Sequence, residues 1–178
     1  MIRLFTAIEI PESVRLRLSL LQGGVPGARW SPPENLHLTL RFIGEVDEAT
    51  ANDIDDVLSS LRAPSFELTL KGAGEFGGRD AHALWTGVAP SEPLHRLVAK
   101  IESALQRMGL DAETRKYTPH VTLARLRDAP AAKVREFLGA HALFDSGAFP
   151  VRAFALYSSH SSAHGSRYRA ERDYPLDG

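Results

Sequence analysis

The chain carries one pattern twice. "HLTL" at His37–Leu40 and "HVTL" at His120–Leu123 stand 83 residues apart, each within a run that reads as a β-strand. The repetition extends beyond the tetrapeptides. "LFTAIEIPES" from Leu4 and "LWTGVAPSEP" from Leu84 match in residue type at most positions, 80 residues apart. From His37 to Phe66 is 29 residues, and from His120 to Phe149, in the matching place, is also 29. Each half therefore reads strand, helix, His-x-Thr strand, helix, strand. This predicts one domain over 1–178, a duplicated α+β unit with approximate repeats 1–80 and 81–178 that pair about a pseudo-two-fold axis. Under that axis the two histidines face each other.

Local signals place the elements. Leu4–Ile10 reads as a strand, and Pro11 opens a helix with Val14, Leu18 and Leu21 on one face. After "GGVPG", residues 37–43 form the first His-x-Thr strand. Asp47 is a cap for a helix whose apolar positions Ile54, Val57, Leu58 and Leu61 keep the 3.6 period. Phe66–Leu70 alternates as a strand, "GAGEFGG" reads as a glycine-rich loop, and Ala83–Val88 is the next strand. A long helix follows with Leu94, Leu97, Val98, Ile101, Leu105 and Met108 as its stripe. Beyond the His120 strand come a short helix with Val134, Phe137 and Leu138, and a strand over Val151–Tyr157. "SSHSSAHGSRYRAERDYPL" reads as a polar loop leading into a last strand.

Composition narrows the chemistry. A chain of 178 residues, 43% apolar and 24% charged, is an ordinary globular sequence. A formal net charge of -1 argues against a nucleic-acid binder that works through a global basic field, so such contact must be local. The absence of cysteine removes disulfides, thiolate catalysis and Cys-ligated zinc together. "MIRLFTAIEIP" is too short and interrupted for a signal or membrane span, which points to a soluble, cytoplasmic protein with no membrane partner. Nothing in the composition calls for more than a monomer or for an obligate protein partner.

In a strand, residues i and i+2 share a face. His37 and Thr39 therefore point together, as do His120 and Thr122, with Leu38, Leu40, Val121 and Leu123 behind them. Facing strands of this kind offer two imidazoles and two hydroxyls. Imidazole titrates near neutrality, so one copy can hold a proton while the other lacks it. The threonine hydroxyls suit non-bridging phosphoryl oxygens, and Arg125 offers a forked donor for phosphate. Arg125 is five positions from His120, so an unbroken strand would turn it away; a bulge or a strand end is required. Arg41 has the parity of His37 and Thr39. A single buried histidine is usually structural, and paired histidines are also common zinc ligands. Matched duplication argues against the first reading, and the lack of Asp, Glu or Cys at ligand spacing against the second. His160 and His164 fall in a loop-like stretch, and His82, His95 and His141 read as surface residues.

The paired motifs, together with "RLFTAIEIP", "ALWTGV", "PHVTLAR" and "LYSSHSSAHGSRY", resemble the 2H phosphoesterase superfamily over essentially the whole chain, and within it the bacterial and archaeal RNA 2',3'-cyclic phosphodiesterases (2'-5' RNA ligases). The resemblance implies a bilobal α+β fold, two antiparallel-type sheets facing a central groove with helices outside. It implies metal-free hydrolysis of a terminal 2',3'-cyclic phosphate to a 2'-phosphomonoester, with no cofactor and with RNA ends or cyclic nucleotides as partners. By position, His37 is the implied proton donor to the departing 3' oxygen and His120 the acceptor from water. Thr39, Thr122 and Arg125 are the implied phosphate-binding residues, and Tyr117 and Tyr168 the implied nucleoside contacts. Two rivals stand: a 2'-5' RNA ligase or 2'-5' phosphodiesterase using the same residues, and a non-catalytic module that binds RNA ends.

Overall fold

A computed structural model describes all 178 residues. The first half contains β1 (Ile2–Glu9), α1 (Glu12–Leu21), β2 (Ala28–Trp30), a 3-10 turn at Pro33–Asn35, β3 (His37–Val46), α2 (Glu48–Ser59) and β4 (Phe66–Phe76). The second contains β5 (Ala83–Val88), α3 (Glu92–Arg107), β6 (His120–Leu126), α4 (Ala131–His141), β7 (Asp145–Val151), β8 (Ala153–Ser162) and β9 (Gly165–Pro175). Caps follow the local chemistry. The Asp47 carboxylate accepts from the Thr50 amide at 2.7 Å to start α2, and the Ser91 hydroxyl accepts from the Leu94 amide to start α3.

The fold is α+β with two antiparallel sheets, ordered β3-β1-β8-β9 and β2-β6-β5-β4-β7. In both, the first strand of one half lies between its own histidine strand and a strand from the other half: β1 between β3 and β8, β5 between β6 and β4. The halves thus exchange strands, and neither sheet is complete without the other half. A single cluster of 32 buried hydrophobic residues accordingly runs through both, holding Leu38 and Leu40 beside Val121 and Leu123.

Four sequence expectations are corrected. Most of the glycine-rich run is not a loop: through Phe76 it is the second part of β4, and only Gly77 and Gly78 lead into a turn. Gly72, at φ +72°, supplies a left-handed bulge, and a Cβ on Gly74 would lie 2.3 Å from the Trp85 indole that crosses the strand there. The apolar run Val151–Tyr157 is two strands, because the chain leaves one sheet after Val151, opposite Phe66, and enters the other at Ala153, opposite Pro175. Phe149 lies in β7, beside β4, whereas the strand that takes the place of β4 in the other sheet is β8. The polar tail does hold the expected last strand, β9, but the stretch before it is the end of β8 and not a loop, so the two form a long hairpin with His160 inside β8 opposite Arg167. Its hydroxyl-rich and charged arms are mostly exposed, so they carry no hydrophobic alternation to signal a strand. The strand β2 is absent from the sequence reading because three residues are too few to show a period.

Candidate active site

Both His-x-Thr strands carry a one-residue bulge at the same place. In the β1–β3 ladder Ala7 opposes Thr39 but Thr6 opposes Arg41, leaving Leu40 as the extra residue. In the β5–β6 ladder Trp85 opposes Thr122 but Leu84 opposes Ala124, leaving Leu123 as the extra residue. A bulge reverses the alternation beyond it. Arg125 is thereby turned onto the face of His120 and Thr122, as its sequence position required, and its charge helps to depress the His120 pKa. The same reversal turns Arg41 away from His37, contrary to simple parity, and brings Phe42 to the groove instead. Arg41 is 9% exposed. Its Nε donates to Glu102 Oε2 at 2.5 Å and its Nη2 to the Asp111 carbonyl at 2.6 Å, fastening β3 to α3 and to the segment before β6.

Each catalytic candidate has the same anchorage. His37 Nδ1–H donates to the Asn35 carbonyl at 2.7 Å, and His120 Nδ1–H donates to the Thr118 carbonyl at 2.6 Å. A carbonyl can only accept, so in both neutral rings the proton sits on Nδ1 and Nε2 carries the free lone pair. His37 Nε2 accepts from the Thr39 hydroxyl at 3.1 Å. Each ring also rests near the aromatic residue that opens its half. Phe5 lies 5.0 Å from His37 and Trp85 6.0 Å from His120, and these occupy matched places in "LFT" and "LWT". Tyr168 meets His37 edge-on at 5.0 Å, and Phe76 meets His120 edge-on at 4.8 Å.

Burial governs the electrostatics. It pushes His37 down to about 4, against the opposing pull of the Asn35 carbonyl and with a smaller contribution from His120. Burial also lowers His120, partly offset by Thr118 and reinforced by Arg125. Both imidazoles are therefore neutral in the empty groove, and an anion bound between them would favour protonation.

The two motifs share one groove of about 760 Å³, walled by Thr39 and Phe42 from β3, His120 from β6, and Tyr117. Tyr117 is only partly available to a ligand, because its hydroxyl donates to the Thr39 carbonyl at 2.8 Å and burial pushes its pKa up. Phe42, Phe76, His82 and His95 also line the groove, and sequence reading missed them. Phe42 had a signal: it is five residues after His37, as Arg125 is five after His120. His82 and His95, expected at the surface, are exposed residues on the groove wall. His160 bonds through Nε2 to the Ser158 hydroxyl at 2.9 Å, and no three His, Cys, Asp or Glu side chains gather in a group that could hold a metal ion.

Two antiparallel sheets around one groove, each supplying a His-x-Thr strand, is the architecture of the 2H phosphoesterases. The model of the 2'-5' RNA ligase superfamily matches residues 11–163, and the chain belongs to that family. It is 32% identical to an RNA 2',3'-cyclic phosphodiesterase of Thermotoga maritima over 99% of this chain and 96% of the relative. It is 31% identical to the protein of that name from Escherichia coli, over 98% of this chain and 96% of the relative. Among solved structures, E. coli LigT complexed with 3'-AMP superposes with a TM-score of 0.80 at 29% identity, covering 99% of each chain. A Thermus thermophilus protein superposes with a TM-score of 0.82 at 26% identity, covering 99% of this chain and 98% of the other.

Proposed function

We propose that this protein hydrolyses the 2',3'-cyclic phosphate at an RNA end to a 2'-phosphomonoester, using two histidines and no metal. The carrying observation is the matched pair of Nδ1-anchored imidazoles, His37 and His120, which leaves the Nε2 lone pair of each ring as its proton-accepting position, that of His37 already bonded to the Thr39 hydroxyl. In-line displacement at phosphorus needs a base on one side and an acid on the other. His120 takes a proton from water as its oxygen attacks phosphorus. The bond from phosphorus to the 3' oxygen breaks, and His37 gives that oxygen its proton. Thr39 and Thr122 bind the non-bridging oxygens, while Arg125 adds positive charge beside the phosphate. Tyr168 and Tyr117 contribute ring surface next to the nucleoside.

The neutral resting state of both rings fits a diester substrate, whose negative charge raises the pKa of whichever imidazole takes the proton. The strain of the five-membered cyclic ester lowers the barrier, which suits a site built from side chains alone. The names of the relatives support the same substrate.

Phosphorus NMR of adenosine 2',3'-cyclic phosphate incubated with the protein and EDTA tests this reading. A single new resonance from the 2'-phosphate is expected. A 3'-phosphate would exchange the oxygens served by the two histidines, and loss of turnover in EDTA would defeat the metal-free mechanism. Cleavage of a 2'-5' linked dinucleotide without turnover of the cyclic ester would favour the 2'-5' phosphodiesterase. Binding of a cyclic-phosphate end without any turnover would favour a recognition module.

A further inference from the structure

We propose that Arg29, with Arg125 beside it, forms a second phosphate subsite that holds the phosphate on the 5' side of the terminal nucleotide. The inference rests on the reading of the groove as a site for RNA cyclic-phosphate ends.

Arg29 stands directly opposite Arg125 in the β2–β6 ladder, so the two side chains share a face. Their neighbours Trp30 and Ala124 turn the other way, and the Trp30 ring packs 5.6 Å from Phe137 of α4. With the Leu123 bulge, the face of Arg125 is the face of Thr122 and His120. Arg29 is therefore on the groove side of its sheet.

The pair is electrostatically incomplete. Like charges directly opposite in a ladder repel, and neither guanidinium has a carboxylate within ion-pair distance. Several other surface arginines also lack an acidic partner; what distinguishes Arg29 and Arg125 is that they stand directly opposite each other on the groove face, where two like charges leave room for an anion.

Arg29 also has the other sheet for a neighbour. The β8–β9 hairpin reaches across from the other sheet, and its Gly165 lies so close that a Cβ there would sit 3.2 Å from Arg29 Nη2. Next to it, Asn35 Nδ2 donates to the Ser166 carbonyl at 2.9 Å, tying the hairpin to the turn that anchors His37. The basic end of the groove thus borders His37, the residue assigned to the departing ribose oxygen.

Spacing agrees. Thr122 and Arg125 are two ladder positions apart once the bulge is counted, about 7 Å along the strand. Arg125 therefore stands between two successive phosphates of a chain, the reacting one at the motif threonines and the next at Arg29. The 760 Å³ stretch of the groove carries Phe42 and Phe76, apolar surface for a base, with Arg115 and Lys116 also on its wall. An oligoribonucleotide end has the second phosphate and a nucleoside cyclic phosphate lacks it, so this subsite selects for polymer.

The test compares adenosine 2',3'-cyclic phosphate with the same nucleotide bearing a 5'-phosphate. For the wild-type protein the 5'-phosphate should lower KM about tenfold, the scale of one charge-assisted contact, with little change in kcat. Arg29→Gln should abolish that ratio and Arg29→Lys keep part of it. Arg135→Gln, which removes the same charge from exposed α4, should retain it in full. An equal KM for both nucleotides in wild type, or a ratio that survives Arg29→Gln, overturns the proposal. If neither nucleotide is turned over, calorimetry with adenosine 2'-phosphate and adenosine 2',5'-bisphosphate decides. About tenfold tighter bisphosphate binding that Arg29→Gln removes upholds the subsite, although the assigned reaction has failed; equal affinities end it.

Discussion

Phe42 and Arg125 occupy the same place in the two halves of the groove. Each follows its motif histidine by five residues, and each is turned onto the histidine face by a bulge at the intervening leucine, Leu40 or Leu123. The matched bulges thus make two equivalent positions, and the side chains make them chemically opposite: one is aromatic, the other cationic. A symmetric pair of imidazoles is thereby given unlike surroundings.

The arginine end should therefore matter for turnover and little for folding. Arg125→Gln is expected to lower kcat/KM by roughly 10- to 100-fold, the range for losing a charge-assisted phosphate contact. Because Arg125 is exposed and without an ion-pair partner, thermal unfolding of this variant should match wild type. A changed unfolding transition with unchanged kinetics would contradict the placement.

Each histidine should be needed separately. His37→Ala and His120→Ala are each expected to reduce kcat by about 10²- to 10⁴-fold in a cyclic-phosphate assay. The double variant should fall little further than the slower single variant, since acid and base act in one transition state. Independent, multiplicative losses would argue against a concerted pair.

The pH profile should depend on occupancy. Burial holds His37 at about 4 and lowers His120 in the empty groove, so the optimum of kcat/KM, which reports the free enzyme, should lie on the acid side of the ordinary imidazole value near 6.5. A bound phosphodiester anion raises both pKa values, so the kcat optimum should sit at higher pH. Initial rates on adenosine 2',3'-cyclic phosphate across the acid and neutral range would show it, and coincident profiles would refute it.

Acid stability should fall in two windows. His37 is depressed from 6.5, so its contribution is complete above that value and is lost as the pH drops toward 4. Burial opposes the charge on Glu102, yet hydrogen bonds from Arg41, the Glu113 amide and Gln106 hold it down at about 2; its contribution is lost below the usual carboxylate range of about 4.5. Glu102→Gln should flatten the lower window in denaturant titrations and leave the upper one. At neutral pH it should cost about 3 kcal/mol, because it strands the buried Arg41 guanidinium.

The fold class was legible in the sequence, and so were the residues of the candidate site. His37, Thr39, His120 and Thr122 follow from a repeated tetrapeptide in a strand with period two, a local rule that needs no tertiary knowledge. Arg125 was legible as a candidate, and even the need for a bulge could be stated from parity. Arg41 shows the limit. Its parity with His37 holds on paper, yet a bulge at Leu40, set by how β3 pairs with β1, sends it to Glu102. β2 is too short at three residues to show a period, and β9 carried no apolar alternation because most of its residues are exposed.

By itself, then, the sequence determined that two like units each carry an imidazole and a hydroxyl on one strand face, since repeat spacing and strand period are properties of a chain alone. Tertiary structure decided which strands exchange between halves, that Val151 and Ala153 belong to different sheets, and that Arg29 comes to lie beside Arg125. Those relations come from hydrogen-bond register between segments far apart in the chain, and register is set only when the two sheets close on their common core.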